Sequence, residues 1–345
     1  MDSDTLRILD VNLNRAREAL RVIEDHARFA LDDADAAARA KTLRHDLRRL
    51  RELLGPPELL AARAIESDVG RDAKTPAELD RASPADVLTA ALARLAEAAR
   101  SLGEYAKLTS PDAAALAERI RYEAYALEPL LATRSTLRAR LRRARLHVLL
   151  TESLCRRDWL DTATACLAAG AGCIQLREKH LPDGQLLGRA RTLRRLTREH
   201  NALLIINDRP DIARLAAADG VHVGQTDLPV AEARRIAGGQ RLIGKSTHDA
   251  RQWHAATAEQ PDYVAIGPMY ASPTKPDVPV AGPRRLRELA GTTDLPIIAI
   301  GGIQPPHAAT LIASGATAVA VCSAIIAAPD PAAATRRFIE ALAAC

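Results

Sequence analysis

Eight short β-rich runs recur between residues 146 and 324, and a helical segment follows each one. They are LHVLLT (146–151), CIQLRE (173–178), LLIIND (203–208) and GVHVG (220–224), then RLIGKST (241–247), YVAIGPM (263–269), PIIAIGG (296–302) and AVAVCSA (318–324). Eight strand–helix repeats in about 200 residues predict a compact (β/α)8 barrel, the TIM barrel. The near-continuous apolar runs fit strands buried on both faces. An open doubly wound sheet is the alternative, and it would want a Gly-rich phosphate fingerprint after its first strand. Here LHVLLTESL contains no glycine.

The first half has another period. "TLRILDVNLNRAREALRVIEDHARFAL" places Leu6, Leu9, Leu13, Leu20, Ile23 and Ala27 on one helix face, with Asn14, Arg17, Arg21, Asp25 and Arg28 opposite. A second helical stretch, Asp33 to Leu54, stops at Gly55-Pro56-Pro57, and residues 61 to 83 read mostly as loop. Ser83-Pro84 opens another helix, with Ser as N-cap and Pro at the first helical position. A last helix starts after Ser110-Pro111, and its basic run, Arg138 to Arg145, reads as a helix end and linker. The fold class is therefore α/β: an all-α helical domain over residues 1–142 precedes a TIM barrel over 143–345. A chain of 345 residues suits two domains.

Composition narrows the functions. Aromatic residues make up only 3% of the chain, so few rings are available to stack on bases. The 48 basic residues are interleaved with 43 acidic ones, which describes solvated helix faces rather than a nucleic-acid surface. A net charge of +5 suits small anionic substrates. Cys155, Cys166, Cys173, Cys322 and Cys345 lack the spacing of a zinc site or a disulfide framework. No signal peptide or membrane-length apolar run is visible, so a cytoplasmic protein is expected, without nucleic-acid or membrane partners. A homo-oligomer is compatible with the sequence.

In such barrels the C-terminal strand ends face the active site. Polar residues gather there. Strand 2 ends in Gln175, Arg177 and Lys179, strand 3 in Asn207-Asp208, and strand 4 supplies His222, Gln225 and Asp227. Strand 5 gives Lys245, Ser246 and His248, and the loop after strand 6, "GPMYASPTKPD", gives Ser272, Thr274 and Lys275. Strand 7 ends in Gly301-Gly302 and strand 8 in Cys322-Ser323. Each has a plainer reading. Asn207-Asp208 and Asp227 suit helix caps, Gly301-Gly302 a tight turn, and His222 a core histidine. The functional case rests on their joint placement at one end of one barrel.

Arg177, Lys179 and Lys275 are three cations, and Asp208 and Asp227 are two carboxylates from adjacent strands. Hard oxygen ligands with few protein donors suit Mg2+, which keeps waters and shares substrate phosphates. Cations with Mg2+ imply a diphosphate. The Gly-Gly and Cys-Ser turns match the usual barrel monophosphate site.

With "QLREK", "IIND", "GVHVGQTD", "GKSTH", "GPMYASPTK", "AIGGI" and "CSAI" in order, residues from about 146 to 340 resemble the thiamine-phosphate synthase (thiamine-phosphate pyrophosphorylase) family. The resemblance implies a transferase that joins 4-amino-2-methyl-5-(diphosphooxymethyl)pyrimidine to thiazole phosphate, or to its carboxylated precursor, and releases diphosphate. It implies that Gln175, Arg177, Lys179, Asn207, Ser246 and Lys275 contact the pyrimidine diphosphate. Ser272, Thr274, Gly302, Cys322 and Ser323 would hold the thiazole phosphate, and Asp208 and Asp227 would bind Mg2+. The implied mechanism is dissociative and needs no side-chain nucleophile. Lys245 and Ser272 depart from common residues of the family. The helical half resembles the extension of long-form bacterial members. A thiazole tautomerase of the related barrel family, and a non-enzymatic sensor of thiamine precursors, remain as alternative readings.

Overall fold

The computed structural model describes residues 2–31, 33–63, 81–271 and 279–344. The chain divides into two compact units, Met1–Thr136 and Leu137–Cys345, and the division falls inside a long helix.

The first unit is helical. Helix α1 (Ser3–Phe29) begins where the Asp2 carboxylate accepts the Thr5 amide at 2.9 Å, which satisfies one orphan donor of the first turn. The expected stripe of Leu6, Leu9, Leu13, Leu20, Ile23 and Ala27 is buried. It packs on α2 (Ala34–Leu54) and α4 (Pro84–Ala106). Asp33 caps α2 and Ser83 caps α4. Gly55, at φ 82°, ends α2, but Pro56 and Pro57 then start α3 (Pro56–Ala61), because proline is preorganised for a first helical turn. The loop expected over 61–83 is therefore helical at Ala61, and residues 64–80 lie outside those described. Buried charge in this unit is paired: Arg134 meets Asp33, and Arg63 grips Asp10 through two hydrogen bonds of 2.7 and 2.8 Å. Arg134 lies on α5 (Pro111–Arg143).

The second unit is a closed barrel of eight parallel strands in sequence order. The strands are β1 (Leu146–Leu150), β2 (Cys173–Leu176), β3 (Leu203–Asn207), β4 (Gly220–Val223), β5 (Leu242–Thr247), β6 (Tyr263–Ile266), β7 (Ile297–Ile300) and β8 (Ala318–Val321). All eight expected strands form. All but β5 stop short of the expected run and give its last residues to the following loop. The intervening helices are α6 (Trp159–Ala168), α7 (Asp183–Glu199), α8 (Pro210–Leu215), α9 (Val230–Ala237), α10 (Ala250–Ala258), α11 (Gly282–Ala290) and α12 (Ala308–Ala313). Two more, α13 (Ser323–Ile326) and α14 (Pro331–Ala343), follow β8.

Strand alternation sorts the residues into two layers. Val148, Ile174, Leu204, Val221, Ile243 and Val264 face the helices. Leu149, Cys173, Ile205, Leu242, Tyr263 and Ile298 fill the interior. The inward phase therefore also carries Gln175, Asn207, His222 and Ser246.

The basic run expected as a helix end and linker does end a helix, at Arg143, but it packs as part of the barrel rather than as a linker. Leu137, Leu141 and Ala144 belong to the interior cluster. Arg138 pairs with the fully buried Asp262 at 2.8 Å, opposite Arg234 of α9 at 2.9 Å. Arg140 lies 3.7 Å from Asp219, which also holds Arg194 of α7 at 2.6 Å. Asp219 and Asp262 accept the amides of Leu204 and Ile243, both at 2.9 Å. The arginines thus neutralise carboxylates that terminate the strand ladder. Such charges are kept inside only because they are paired and hydrogen-bonded.

Candidate active site

At the C-terminal strand ends, backbone geometry brings the two expected carboxylates together. Asp208 follows β3 in the left-handed region, φ 60°, while its amide donates to the His222 carbonyl at 2.8 Å. Asp227 folds back to accept the Gly224 amide at 2.6 Å. Neither caps the next helix: Arg209 and Pro229 precede α8 and α9, without side-chain caps. The helix-cap reading therefore fails at both positions.

Their electrostatics are those of crowded like charges. The Asp208 carboxyl is pushed up to about 6, first by burial and then by its hydrogen bond and charge interaction with Asp227. Lys179 and Arg177 pull the other way. Lys179 is largely exposed, with Nζ 3.7 Å from the Asp208 carboxylate. Arg177 also draws down the Cys322 thiol, which burial raises. Its guanidinium thus acts on both the β3–β4 and the β8 sides of the mouth. Its backbone is fixed by donation to the Leu150 carbonyl at 2.9 Å and by acceptance from the Thr151 hydroxyl at 2.8 Å.

Two oxygen-donor side chains facing each other, one of them held against ionisation by burial and by the other, fit a hard divalent cation that retains waters and shares phosphate oxygens. Among the described residues no group of three His, Cys, Asp or Glu side chains gathers, so a site closed by protein ligands alone is not built here.

Other expected residues fall as follows. Gln175 is buried on β2 and Asn207 half-buried at the end of β3. Ser246 receives a 2.7 Å contact from His222 Nε2. Gly301 and Gly302 have φ of 96° and 67°, and a side chain at Gly302 would collide with the carbonyls of Tyr270 and Ala271. Cys322 and Ser323 are half-buried, at the entry to α13. Ser272, Thr274 and Lys275 lie outside the described residues.

Among the described residues, Lys245 is the strand-end residue that the structure turns away from the site. It lies on the outer phase, buried, 3.7 Å from Glu259. The neighbouring Ser246 takes the inward position, because adjacent strand residues point to opposite faces. Three residues near the site were left without a role from sequence. His222 is buried, bridging Ser246 and Tyr263. Gln225 donates to the Ser246 carbonyl at 2.5 Å, and Tyr270 stacks on His307 at 3.8 Å. The available signal for Tyr263 and His222 was phase: each holds an inward position on an otherwise apolar strand.

Fold and site define a parallel (β/α)8 barrel whose catalytic end carries an acidic pair beside cations. Comparison with known proteins identifies which such barrel it is. Residues 146–325 match the family model "Thiamine monophosphate synthase", and residues 7–129 match that of the ThiD2 family. Thiamine-phosphate synthase of Gloeobacter violaceus is 42% identical over 337 residues, covering 98% of this chain and 96% of that protein. The Thermosynechococcus vestitus enzyme of the same name is 43% identical, covering 97% and 94%. Among solved structures, thiamine phosphate pyrophosphorylase from Pyrococcus furiosus superposes with a TM-score of 0.55 at 31% identity, covering 59% of this chain and 98% of that one. The chain belongs to the thiamine monophosphate synthase family.

Proposed function

We propose that this protein forms thiamine phosphate by joining 4-amino-2-methyl-5-(diphosphooxymethyl)pyrimidine to thiazole phosphate or its carboxylated precursor. Diphosphate leaves, a carboxylated precursor loses its carboxyl group as CO2 as well, and the reaction is a step of thiamine biosynthesis in the cytoplasm. Family membership supports the reaction. The observation that carries the site assignment is the Asp208–Asp227 pair, with Lys179 and Arg177 acting on it. Among the described residues no helix is long and apolar enough to cross a membrane.

Asp208 and Asp227 would hold Mg2+, which when bound supplies positive charge to a departing diphosphate. Arg177, Lys179 and Lys275 hold the diphosphate oxygens through charge-assisted hydrogen bonds. Gln175, Asn207 and Ser246 orient the pyrimidine. Ser272, Thr274, Gly302, Cys322 and Ser323 hold the phosphate of the thiazole. The bond from the pyrimidine methylene carbon to the diphosphate oxygen breaks, and its electrons leave with diphosphate. The thiazole nitrogen supplies the lone pair for the new C–N bond. No side chain acts as nucleophile; the residues position two substrates and stabilise charge.

The test is turnover by the purified full-length chain with both substrates, with and without Mg2+. One thiamine phosphate should appear per diphosphate released, and chelation should stop both. Isomerisation of a carboxylated thiazole phosphate without any pyrimidine diphosphate would instead make the protein a tautomerase. Binding of both substrates without turnover would make it a sensor.

A further inference from the structure

A buried hydrogen-bonded chain runs from the barrel interior to the mouth. Tyr263 Oη lies 3.1 Å from His222 Nδ1, and His222 Nε2 lies 2.7 Å from Ser246 Oγ. The two rings stack, with centroids 5.5 Å apart and planes 26° apart. Tyr263 is 1% exposed and His222 6%. Gly244 makes room for the phenol: a side chain there would overlap the Tyr263 ring.

The direction of this chain follows from proton counting. Burial raises the Tyr263 phenol well above its usual 10, so it keeps its proton. Among the described residues the phenol's hydrogen-bond partner is His222 Nδ1 alone. If Nδ1 carried a proton and donated, the phenol proton would be buried without an acceptor, which costs more than a hydrogen bond returns. The phenol therefore donates to Nδ1. A neutral imidazole then carries its proton on Nε2 and donates to Ser246 Oγ. With Oγ already accepting, the serine hydroxyl proton is left to point toward substrate.

We infer that Tyr263 and His222 are positioning residues that fix Ser246 as a hydrogen-bond donor. Ser246 then offers that proton to an acceptor atom of the pyrimidine substrate, a ring nitrogen or phosphate oxygen. This deepens the proposed reaction and rests on it for the substrate. The proton order itself does not.

Two measurements on the full-length protein test it. Nitrogen-15 NMR of histidine-labelled protein, with His222 assigned by loss of its signals in His222→Gln, should show the proton on Nε2 and a bare Nδ1. A protonated Nδ1 in the wild-type protein would overturn the inference. In the second, Tyr263→Phe keeps the ring and its stacking. It should lower kcat/KM roughly three- to tenfold, the range for one ordinary hydrogen bond. In a Ser246→Ala background the same change should cost less than about twofold, because Tyr263 acts through Ser246. Full, additive losses in the double variant would mean a merely structural tyrosine and would refute the relay. If the wild-type protein makes no thiamine phosphate, the proposed reaction fails while the NMR result still decides the proton order.

Discussion

The end of α5 closes the base of the barrel, which makes the starting residue of any barrel fragment decisive. We propose that the unit folds alone when it begins at Leu137 and is compromised when it begins at residue 143. The second fragment lacks Leu137 and Leu141, which are 6% and 0% exposed within the interior cluster. Each buried leucine contributes roughly 1.5–3 kcal/mol, so the loss is about 3–6 kcal/mol, taken as an upper bound because unfolded chains are themselves partly compact. Asp262 loses Arg138 and keeps Arg234, and Asp219 loses Arg140 and keeps Arg194. Domains of ordinary stability hold only about 5–15 kcal/mol, so the shorter fragment forfeits a large share. Urea unfolding followed by circular dichroism reads this directly. With a slope of about 2 kcal/mol per molar, the midpoint should fall by roughly 1.5–3 M. Equal midpoints for the two fragments would refute the claim that the helix end belongs to the barrel.

Mg2+ affinity should depend on pH through Asp208. Its folded-state value of about 6 lies above the ordinary 3.8, so in metal-free protein this group's contribution to stability falls as pH rises from about 4 to about 6. Metal binding requires the carboxylate, so calorimetry should show affinity roughly constant above pH 7 and falling by about tenfold per unit below 6. A flat profile would place the ion elsewhere. Lys275→Ala should raise the KM for the pyrimidine diphosphate, or lower its kcat/KM, by about ten- to a hundredfold, with thiazole phosphate binding little changed. Steady-state kinetics in each substrate separates that outcome from the negligible effect of an exposed turn lysine.

The barrel was readable because its strands are apolar on both faces and separated by helical periods. Tertiary partners were not. Arg138 to Arg145 reads as a charged connector because the carboxylates that bind Arg138 and Arg140 lie far along the chain, just ahead of β6 and β4. Lys245 and Ser246 are adjacent polar residues, and composition gives no preference for which faces inward. The phase comes from Leu242 in the interior cluster and Ile243 in the outer one. Asp208 and Asp227 were legible as a pair from their strand-end positions, but their crowding was not. It depends on the left-handed backbone at Asp208 and the return of Asp227 onto the Gly224 amide. His222 was readable as an inward histidine, yet its link to Ser246 and Tyr263 exists only once β4, β5 and β6 lie side by side.

The central claim is that Asp208 and Asp227 jointly hold the Mg2+ on which turnover depends, and Asp227→Asn tests it most directly. Asparagine preserves the shape and can still accept the Gly224 amide, but it removes one of the two charges offered to the ion. Rates of thiamine phosphate formation measured across an Mg2+ titration should fall on the order of a thousandfold at a fixed low concentration, since several kcal/mol of leaving-group stabilisation is lost. The affinity for thiazole phosphate should hardly change, because its proposed residues follow β6, β7 and β8, not β3 or β4. Wild-type turnover with an unaltered Mg2+ dependence in Asp227→Asn would contradict the account.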